Sequence, residues 1–504
     1  MKKYIVVIIW LLGGLLYTGC NDWLDVTPVD QNPKNKLFTT QKGFRSALTG
    51  AYIRLNEERV YGGALIWNDV EYMACNWYNT STNNTILAEL LNCNYNNGNV
   101  RSRMDGIYEN LYKVIADVNS ILEEIDAQQA VFSDGNYEMI KGEALAIRAF
   151  CHFDVLRLFG PMPMNVGEDG LLPYVKTVTK EVHPALTYKD YTQAIISDLN
   201  EAEILLKKVD PILTFSIADM AMNDLDKGDF TTEDDYIAVR QIRMNYYAVL
   251  ATKARVYTWL SAQDGSMKAN GARYAQMVID AKDHNGTPTF RLGTDADRVA
   301  QDYTMSPEHI MALSVYDLAN KANNLFGETG SLARYDFSVQ DGFYYLNNLF
   351  PVAERVSDIR WNGMWSYKTL SGKTSEVMYK KYIQNANEYV RILQVPLLRL
   401  SEMYLILTEC AETKAAAETS YKYYCGQKGI PFTAFSDLDW ETDRRNKMVR
   451  EYCREFYAEG QSFFTYKRYN VTTLPSGWTY TYFSGSAAKY IVPKPLREIE
   501  YHNK

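Results

Sequence analysis

Apolar residues recur at every third or fourth position in several parts of the chain, the spacing that places them on one face of an α-helix. The clearest case is 107–125, where isoleucine, leucine and valine follow this rhythm. The helix predicted at 138–159 should end at Gly160-Pro161, because proline cannot continue the backbone hydrogen bonds. The same pattern predicts helices over 191–208, 244–260, 272–281, 396–417 and 443–459, the last closed by Gly460.

One set of residues predicts how these helices pack. Ala149, Phe153 and Pro161 have the relative positions of the small residue, the aromatic residue and the proline in the second helix of a tetratricopeptide repeat. The small residue lets the partner helix approach, and the aromatic ring fills the groove between units. The chain is therefore predicted to be mostly α-helical, with a tetratricopeptide-like scaffold of stacked helical pairs.

Long stretches without periodicity separate the predicted helices. They cover 56–103, 210–235 and 286–387, and they are rich in asparagine, threonine, glycine and aromatic residues. Insertions of this length in a compact protein are more often functional than merely connecting. We expect them to form a loop-rich, irregular binding lobe over a scaffold built from about 38–55, 104–209, 236–285 and 388–470.

The first residues have the features of an export signal. Two lysines precede an uncharged apolar run over 4–17, which is shorter than the ~20 residues of a membrane-spanning helix. The run predicts a signal peptide over 1–19. The Gly-Cys pair ending at Cys20 resembles the bacterial lipobox, which predicts acylation of Cys20 and a lipid-anchored mature chain over 20–504. The alternative is an ordinary signal peptide followed by an incidental cysteine.

Charge and cysteine content narrow the possible functions. Without the two signal-peptide lysines, 51 basic side chains oppose 61 acidic ones, a net charge of −10 that argues against nucleic acid as a partner. The cysteines after Cys20 form no C-x-x-C pair and the chain has five histidines, so we expect no metal and no cofactor. Cys75 and Cys93 could form a disulfide, although buried free thiols are expected for most cysteines.

Aromatic residues are unusually abundant. The chain has 39 tyrosines, 19 phenylalanines and 9 tryptophans, more than a helical core of this size normally uses. Tyrosine and tryptophan combine an apolar face with a polar edge, which suits both helix packing and sugar binding. Composition alone does not separate these two uses.

The order of motifs along the mature chain resembles the SusD/RagB family, the surface nutrient-binding lipoproteins of Bacteroidetes. The resemblance covers essentially the whole mature chain and departs at Gln461, where an arginine is common. It is carried by CNDWLD at 20–25, FTT at 38–40, EA at 143–144, RAF at 148–150, RLFG at 157–160, ARVY at 254–257, VPLLRLSEMYL at 395–405, RE at 450–451, EG at 459–460 and KR at 467–468.

This resemblance implies a fold, a location and a partner. The fold would be four helical repeat pairs that cradle a loop-rich binding lobe. The protein would be lipid-anchored in the outer membrane, facing the cell exterior. Its partner would be a TonB-dependent outer-membrane transporter (SusC-like), which would receive bound oligosaccharide or polysaccharide.

The first candidate binding cluster lies in the stretch 56–103. Hydrogen bonds to sugar hydroxyls mostly replace bonds to water, so the favourable surplus comes from an aromatic ring against the sugar face, on the order of 1 kcal/mol per ring. Candidate rings should therefore lie among polar residues in the irregular stretches. This reasoning predicts Trp77, Tyr78 and Asn79 as ligand-binding residues, whereas Trp67 fits a core position better.

The second candidate cluster lies in the stretch 286–387 and predicts Tyr344, Tyr345 and Trp361 as ligand-binding residues. Trp361 and Trp365 are four residues apart, so on a helical turn they would share a face, and one of them is expected in the core. Arg360 stands in an Asp-x-Arg element that resembles one recurring in the family. The resemblance implies that Arg360 is structural and pairs with a carboxylate.

Three other functions have to be distinguished from glycan binding: glycoside hydrolysis, capture of oligopeptides and binding of protein partners alone. Glycoside hydrolysis needs two carboxylates ~5–10 Å apart, and Glu402 with Glu409 or Glu451 with Glu455 could supply them; their helical positions favour packing and solvent-facing ion pairs, so we predict no enzyme. Capture of oligopeptides is the alternative to capture of glycans. A repeat adaptor that binds only protein would not need the long aromatic insertions.

Overall fold

The computed structural model describes residues 36–78, 85–168, 170–221, 235–335, 346, 349–370, 372–383, 393–475 and 482–502. Within this part the chain is mostly α-helical, as predicted. The helices are α1 (Gln41–Leu55), α2 (Asp69–Met73), α3 (Thr85–Leu91), α4 (Gly98–Glu124), α5 (Asn136–Phe159), α6 (Tyr188–Val209), α7 (Tyr246–Leu260), α8 (Lys268–Ile279), α9 (Asp295–Val299), α10 (Leu318–Phe326), α11 (Val352–Arg355), α12 (Leu400–Cys410), α13 (Lys414–Lys428), α14 (Trp440–Glu455), α15 (Ser462–Tyr469), α16 (Ala487–Tyr490) and α17 (Leu496–His502).

Short antiparallel strands complete the described structure. They pair as β1 with β2, β3 with β7, β8 with β9, and β4 and β5 on either side of β6. The strands are β1 (Leu172–Pro173), β2 (Ala185–Leu186), β3 (His309–Ser314), β4 (Arg334–Tyr335), β5 (Trp365–Tyr367), β6 (Glu376–Tyr379), β7 (Gln394–Arg399), β8 (Thr473–Pro475) and β9 (Tyr482–Ser484).

The long helices pack against one another in chain order. α1 lies against α4, α4 against α5, α5 against α6, α6 against α7 and α7 against α8. α8 then contacts α12, which also contacts α13 and α14. In such an array each helical pair covers the apolar face of its neighbour. The predicted scaffold of stacked helical pairs is confirmed.

Helix α5 is buried along almost its whole length, because α4 and α6 both pack against it. Ala149 and Phe153, the predicted repeat positions, have no exposed surface. The Phe153 ring meets Trp259 of α7 edge-on, with centroids 6.1 Å apart. Arg148 donates to both carboxylate oxygens of Asp198 on α6, at 2.6 and 2.8 Å. Apolar contacts and a buried ion pair thus both fix the neighbouring helices.

The helix predicted over 396–417 is wrong in its first residues and too long at its end. Pro396 lies in β7 and pairs with Ala312 of β3, and the helix that follows, α12, ends at Cys410. The apolar run at the start is a buried strand, and a short buried strand and a buried helix have the same hydrophobic pattern. Thr413 then begins α13, where its side chain accepts a hydrogen bond from the Ala416 N–H.

The stretches predicted to be irregular contain short helices and strands, from α2 to α3 and from α9 to β6. Glu71 of α2 joins this part to the turn after α14, because its carboxylate accepts hydrogen bonds from the Ala458 and Gly460 N–H groups at 3.2 and 2.8 Å. Gly460 has a φ of +71°, and a Cβ there would lie 1.7 Å from the Leu65 carbonyl oxygen. Only glycine fits this contact. The division into scaffold and lobe stays a prediction.

The cysteines within the described residues, Cys75, Cys93, Cys151, Cys410, Cys425 and Cys453, are buried free thiols. This agrees with the state expected for most of them. Gln461, where the sequence departs from the family pattern, accepts a hydrogen bond from Arg157 at 2.9 Å. Among the described helices, none is long and apolar enough to cross a membrane.

Candidate ligand-binding surface

A continuous set of aromatic rings connects the two stretches in which ligand-binding residues are predicted. Successive rings have centroids 4.4 to 6.4 Å apart, the range of favourable offset and edge-to-face pairs. We call this set the aromatic cluster; its members are Phe350, Trp361, Trp365, Tyr379, Tyr457, Trp77, Phe326, Tyr382 and Trp67.

The aromatic cluster links Trp361 to Trp77 through two intervening rings. The Trp361 and Trp365 centroids lie 6.4 Å apart, the Trp365 and Tyr457 centroids 5.0 Å, and the Tyr457 and Trp77 centroids 5.1 Å. The structure therefore connects Trp77 and Trp361, one residue from each candidate cluster, which lie far apart in sequence.

Trp77 lies in the buried part of the aromatic cluster. It has no exposed surface, and its indole N–H donates to the Trp67 carbonyl oxygen at 2.7 Å. A ring without exposed surface cannot stack on a ligand, so the expectation of an exposed platform at Trp77 is corrected here. The polar sequence around Trp77 conceals a core position, because its ring packs between Phe326 and Tyr457. Trp67 is a core residue, as expected.

Of the predicted residues of the two clusters other than Trp77 and Trp361, the structure describes only Tyr78. Tyr78 is half-buried, and its backbone N–H donates to the Ala333 carbonyl oxygen at 2.9 Å, next to β4. Asn79, Tyr344 and Tyr345 lie outside the described residues, as does the predicted lipidation site Cys20. Their roles stay predictions.

Trp361 occupies the half-buried end of the aromatic cluster. The Arg355 guanidinium lies over its ring, 4.2 Å from the centroid, and Phe350 contacts it with a centroid separation of 5.4 Å. The Arg355 Nε–H donates to the Phe350 carbonyl oxygen at 2.7 Å, which fixes the cation over the ring. Burial lowers the pKa of Arg355, and nearby Tyr367 acts to raise it.

We call Arg355, Trp361 and Tyr367 the Trp361 surface. Tyr367 is 41 % exposed, whereas Trp361 and Arg355 are half-buried and the guanidinium lies over one face of the indole ring. Sequence reasoning missed Arg355 and Tyr367. The signal that could have found Tyr367 is its position two residues after Trp365, which places both on one face of a strand.

Arg360 lies beneath the Trp361 surface in a fully paired environment. It donates to Asp358 at 2.8 Å, to Glu451 at 3.1 Å and to Glu455 at 3.0 Å. Its side chain is only 4 % exposed. Arg360 is therefore structural, as its Asp-x-Arg element implied.

The ion pairs of Arg360 belong to a larger buried set that we call the charge network. Arg399 pairs with Glu308 at 3.0 Å, Glu455 at 2.7 Å and Glu459 at 2.8 Å. Although burial disfavours ionisation of Glu451, the Arg454 and Arg360 charges lower its pKa to about 2. The members of the network are Lys381, Arg360, Arg399, Lys428, Arg454, Glu308, Asp358, Glu451, Glu455 and Glu459.

The four carboxylates considered for hydrolysis all pair with cations. Glu402 accepts two hydrogen bonds from Arg255, both at 2.6 Å, and Glu409 pairs with Arg468. Glu451 and Glu455 belong to the charge network. Glu402, Glu451 and Glu455 are buried rather than solvent-facing, which corrects their expected exposure, because α14 packs against α12 and α15; the Glu409–Arg468 pair is partly buried. Within the part of the chain that the structure describes, no group of histidine, cysteine and carboxylate side chains could hold a metal ion.

Comparison with solved structures defines the class of fold. The chain superposes on a SusD superfamily protein from Bacteroides thetaiotaomicron with a TM-score of 0.66, 18 % identity, and coverage of 92 % of this chain and 98 % of that one. A putative sugar binding protein from Bacteroides vulgatus gives a TM-score of 0.64, 20 % identity, and coverage of 92 % and 97 %. The fold is that of the SusD superfamily.

Sequence comparisons lead to the same family. A SusD-like family model described as "Starch-binding associating with outer membrane" matches residues 22–221. SusD-like protein P38 from Formosa agariphila is 27 % identical over 225 residues, which are 43 % of this chain and 41 % of that protein. SusD-like protein P25 from the same organism is 23 % identical over 202 residues, 38 % and 36 % of the two chains. The resemblance to the SusD/RagB family is thus confirmed, and the matches span about two fifths of these relatives' length.

Proposed function

We propose that this protein binds oligosaccharides or polysaccharide at the Trp361 surface and delivers them, without catalysis, to a TonB-dependent outer-membrane transporter. The observation that carries the proposal is the half-buried Trp361 ring at the outer end of the aromatic cluster, with the Arg355 guanidinium over it. The SusD superfamily fold supports it, because proteins with this fold include ones named for sugar or carbohydrate binding. The starch-binding description of the matching family model supports it as well.

The Trp361 surface has the chemistry that a neutral sugar needs. The part of the Trp361 ring that reaches solvent beside the Arg355 guanidinium contacts the apolar C–H face of a pyranose, a contact on the order of 1 kcal/mol, while the guanidinium orients the hydroxyl groups. Trp365 and Phe350 hold Trp361 in place, so little side-chain entropy is lost on binding. One ring gives weak affinity, and a polymeric ligand would gain strength by repeated contacts.

Location on the outer membrane is part of the proposal. The matching family model is described as associating with the outer membrane, and Cys20 follows a predicted signal peptide. Acylation of Cys20 would hold the binding surface at the cell exterior, next to a SusC-like transporter. Membrane fractionation of a Cys20→Ala variant tests this step: the variant should leave the membrane fraction, and unchanged retention would contradict lipid anchoring.

Isothermal titration against a panel of neutral glycans tests the binding site. Trp361→Ala should weaken binding of the glycan that the native protein takes by about fivefold or more, which corresponds to ~1 kcal/mol. Trp440→Ala is a matched control, because Trp440 is also half-buried under an arginine, with the Arg444 guanidinium 4.4 Å from its ring centroid. Trp440→Ala should leave the affinity unchanged.

Two results would contradict the proposal. One is equal glycan affinity in the native protein and the Trp361→Ala variant. The other is binding of oligopeptides with no binding of any glycan in the panel, which would support the alternative function. Mass spectrometry of ligand that co-purifies with the protein separates the two classes directly.

A further inference from the structure

A pocket lies on the helical array, between the end of α7, the start of α8 and helices α14 and α15. Its volume is about 270 Å³, and none of the rings of the aromatic cluster lines it. We call it the cationic pocket, because Lys268, Arg444, Arg445 and Arg468 line it together with only two carboxylates, Glu409 and Glu441.

Half of the positive charge in this pocket is not balanced by the carboxylates that line it. Arg468 pairs with Glu409, because one of its guanidinium N–H groups donates to the Glu409 carboxylate at 3.0 Å. Lys268, Arg444 and Arg445 form no ion pair with any carboxylate among the described residues, unlike the arginines of the charge network. The pocket therefore has a net charge of +2 in a chain whose formal charge is −8.

The position of each unpaired cation favours an anionic ligand. Arg444 is only 6 % exposed; it donates to the Ala411 carbonyl oxygen at 2.7 Å and lies over the Trp440 ring, 4.4 Å from its centroid. It has no carboxylate partner among the described residues, and a buried cation without one is costly. Lys268 is the first residue of α8, where the positive end of the helix dipole disfavours a cation. Arg445 uses one nitrogen to donate to the Tyr469 carbonyl oxygen at 2.5 Å, which leaves its other N–H groups available.

We propose that the cationic pocket binds one acidic sugar unit through its carboxylate or sulfate group. Guanidinium groups match the geometry of these oxyanions with paired hydrogen bonds. The Tyr469, Met164 and Met448 side chains in the lining offer an apolar wall for the ring. The volume lies near the lower end for ligand pockets, which fits one unit rather than a chain. That the anion is carried by a sugar rests on the proposed function; the preference for an anion does not.

Titration calorimetry at low ionic strength tests the inference with digalacturonate and its neutral counterpart galactobiose. Digalacturonate should bind at least tenfold more tightly, and its affinity should fall as NaCl is added, because salt screens charge. A Lys268→Gln/Arg445→Gln double variant should lose at least tenfold in digalacturonate affinity. Both side chains reach solvent, so this variant should fold normally. Lys113→Gln/Lys422→Gln, which removes two exposed cations elsewhere, should bind like the native protein.

The inference is overturned if both disaccharides bind equally, if the pocket variant keeps its digalacturonate affinity, or if inorganic sulfate binds as tightly as digalacturonate. Trp361→Ala separates this site from the one under "Proposed function". Unchanged digalacturonate affinity in Trp361→Ala would support the cationic pocket as the site. Loss of that affinity in Trp361→Ala alone would overturn the inference and support the Trp361 surface instead.

Discussion

The charge network and the aromatic cluster are neighbours with opposite construction. They meet at the turn after α14, where the Lys381 ammonium donates to the backbone carbonyl oxygens of Glu455 and Tyr457 at 3.1 and 3.4 Å. Every member of the charge network is buried and paired; at its edge Arg454 also pairs with Glu354, which is half-buried. The aromatic cluster instead changes along its length, from Trp77 without exposed surface to Trp361, which is half-buried.

This difference follows from what each kind of group requires. A buried charge needs a complete set of partners, since one missing partner leaves an uncompensated ion. An aromatic ring loses only contact area when part of it faces solvent. An aromatic cluster can therefore extend from the core to the surface and present its last ring to a ligand, whereas a charge network of this kind must stay closed.

Glu455→Ala should break the closed network and give the largest effect. Glu455 accepts hydrogen bonds from Arg399 at 2.7 Å, Arg360 at 3.0 Å and the Tyr424 hydroxyl at 2.7 Å. Its removal leaves buried cations without compensation, so the free energy of unfolding should fall by about 5 kcal/mol. Urea denaturation followed by circular dichroism measures the loss.

Glu201→Ala is the control for the effect of losing any ion pair. Glu201 is half-exposed and pairs with Lys141 at 3.1 Å, and surface pairs contribute at most ~1 kcal/mol. Similar losses in the Glu455→Ala and Glu201→Ala variants would contradict the claim that closure of the network matters.

Trp77→Ala tests the buried part of the aromatic cluster. The substitution removes a fully buried ring and its hydrogen bond to the Trp67 carbonyl oxygen, so the free energy of unfolding should fall by about 4 kcal/mol. Trp361→Ala should cost clearly less, because its ring is only partly buried. Denaturation of both variants under the same conditions gives the ratio of the two losses in unfolding free energy. Equal losses would mean that the aromatic cluster is not graded from core to surface.

Glu71→Gln tests the pH dependence of the turn between the two clusters. Burial is the main cause that raises the pKa of Glu71 to about 7, against the lowering effect of hydrogen bonds from Asn76 and two backbone N–H groups. The pKa of Glu71 in the folded protein is above its value in the unfolded chain. The favourable contribution of Glu71 to the free energy of unfolding is therefore complete below ~pH 4.5 and is lost as pH rises towards 7. The loss is about 3 kcal/mol.

The Glu71→Gln variant cannot ionise at this position and should not show that loss. Denaturation of native protein and variant between pH 4.5 and 8 gives the difference in unfolding free energy. The unfolding free energy of the variant should increase relative to that of the native protein as pH rises. A difference that stays constant over this range would contradict a raised pKa.

The helical array could be predicted from sequence because its apolar positions have a regular period. The predicted 138–159 differs from α5 by two residues at its start, and Phe153 does fill the groove against α7. The start of α4 was missed: it begins at Gly98, where the Asn97 side chain accepts hydrogen bonds from two backbone N–H groups. Such a cap is local and carries no periodic signal. The β7 strand was missed because a buried strand has no alternating pattern.

The candidate site could be predicted only in part, because burial depends on contacts between distant residues. Trp77 and Trp361 both have polar neighbours in the sequence. Trp77 is buried by Tyr457, which stands far along the chain and offers no local sign of the contact. Arg355 was overlooked for the same reason: its role comes from lying over the Trp361 ring. Sequence reasoning could select aromatic residues in the irregular stretches but not predict how far each of them is exposed.

Arg355→Met should give the smallest effect and shows what the cation adds to the ring at the solvent end. The substitution keeps most of the apolar stem and removes the guanidinium over Trp361, so the free energy of unfolding should fall by only about 0.5 kcal/mol. Glycan affinity at the Trp361 surface should fall about threefold, because a charged donor to sugar hydroxyls is lost. Arg273→Met is the matched control, since Arg273 lies 4.2 Å from the Tyr274 ring centroid on α8, and it should leave glycan affinity unchanged. If Arg355→Met instead strengthens glycan binding, the guanidinium covers the ring and competes with the sugar, and Trp361 alone accounts for the contact.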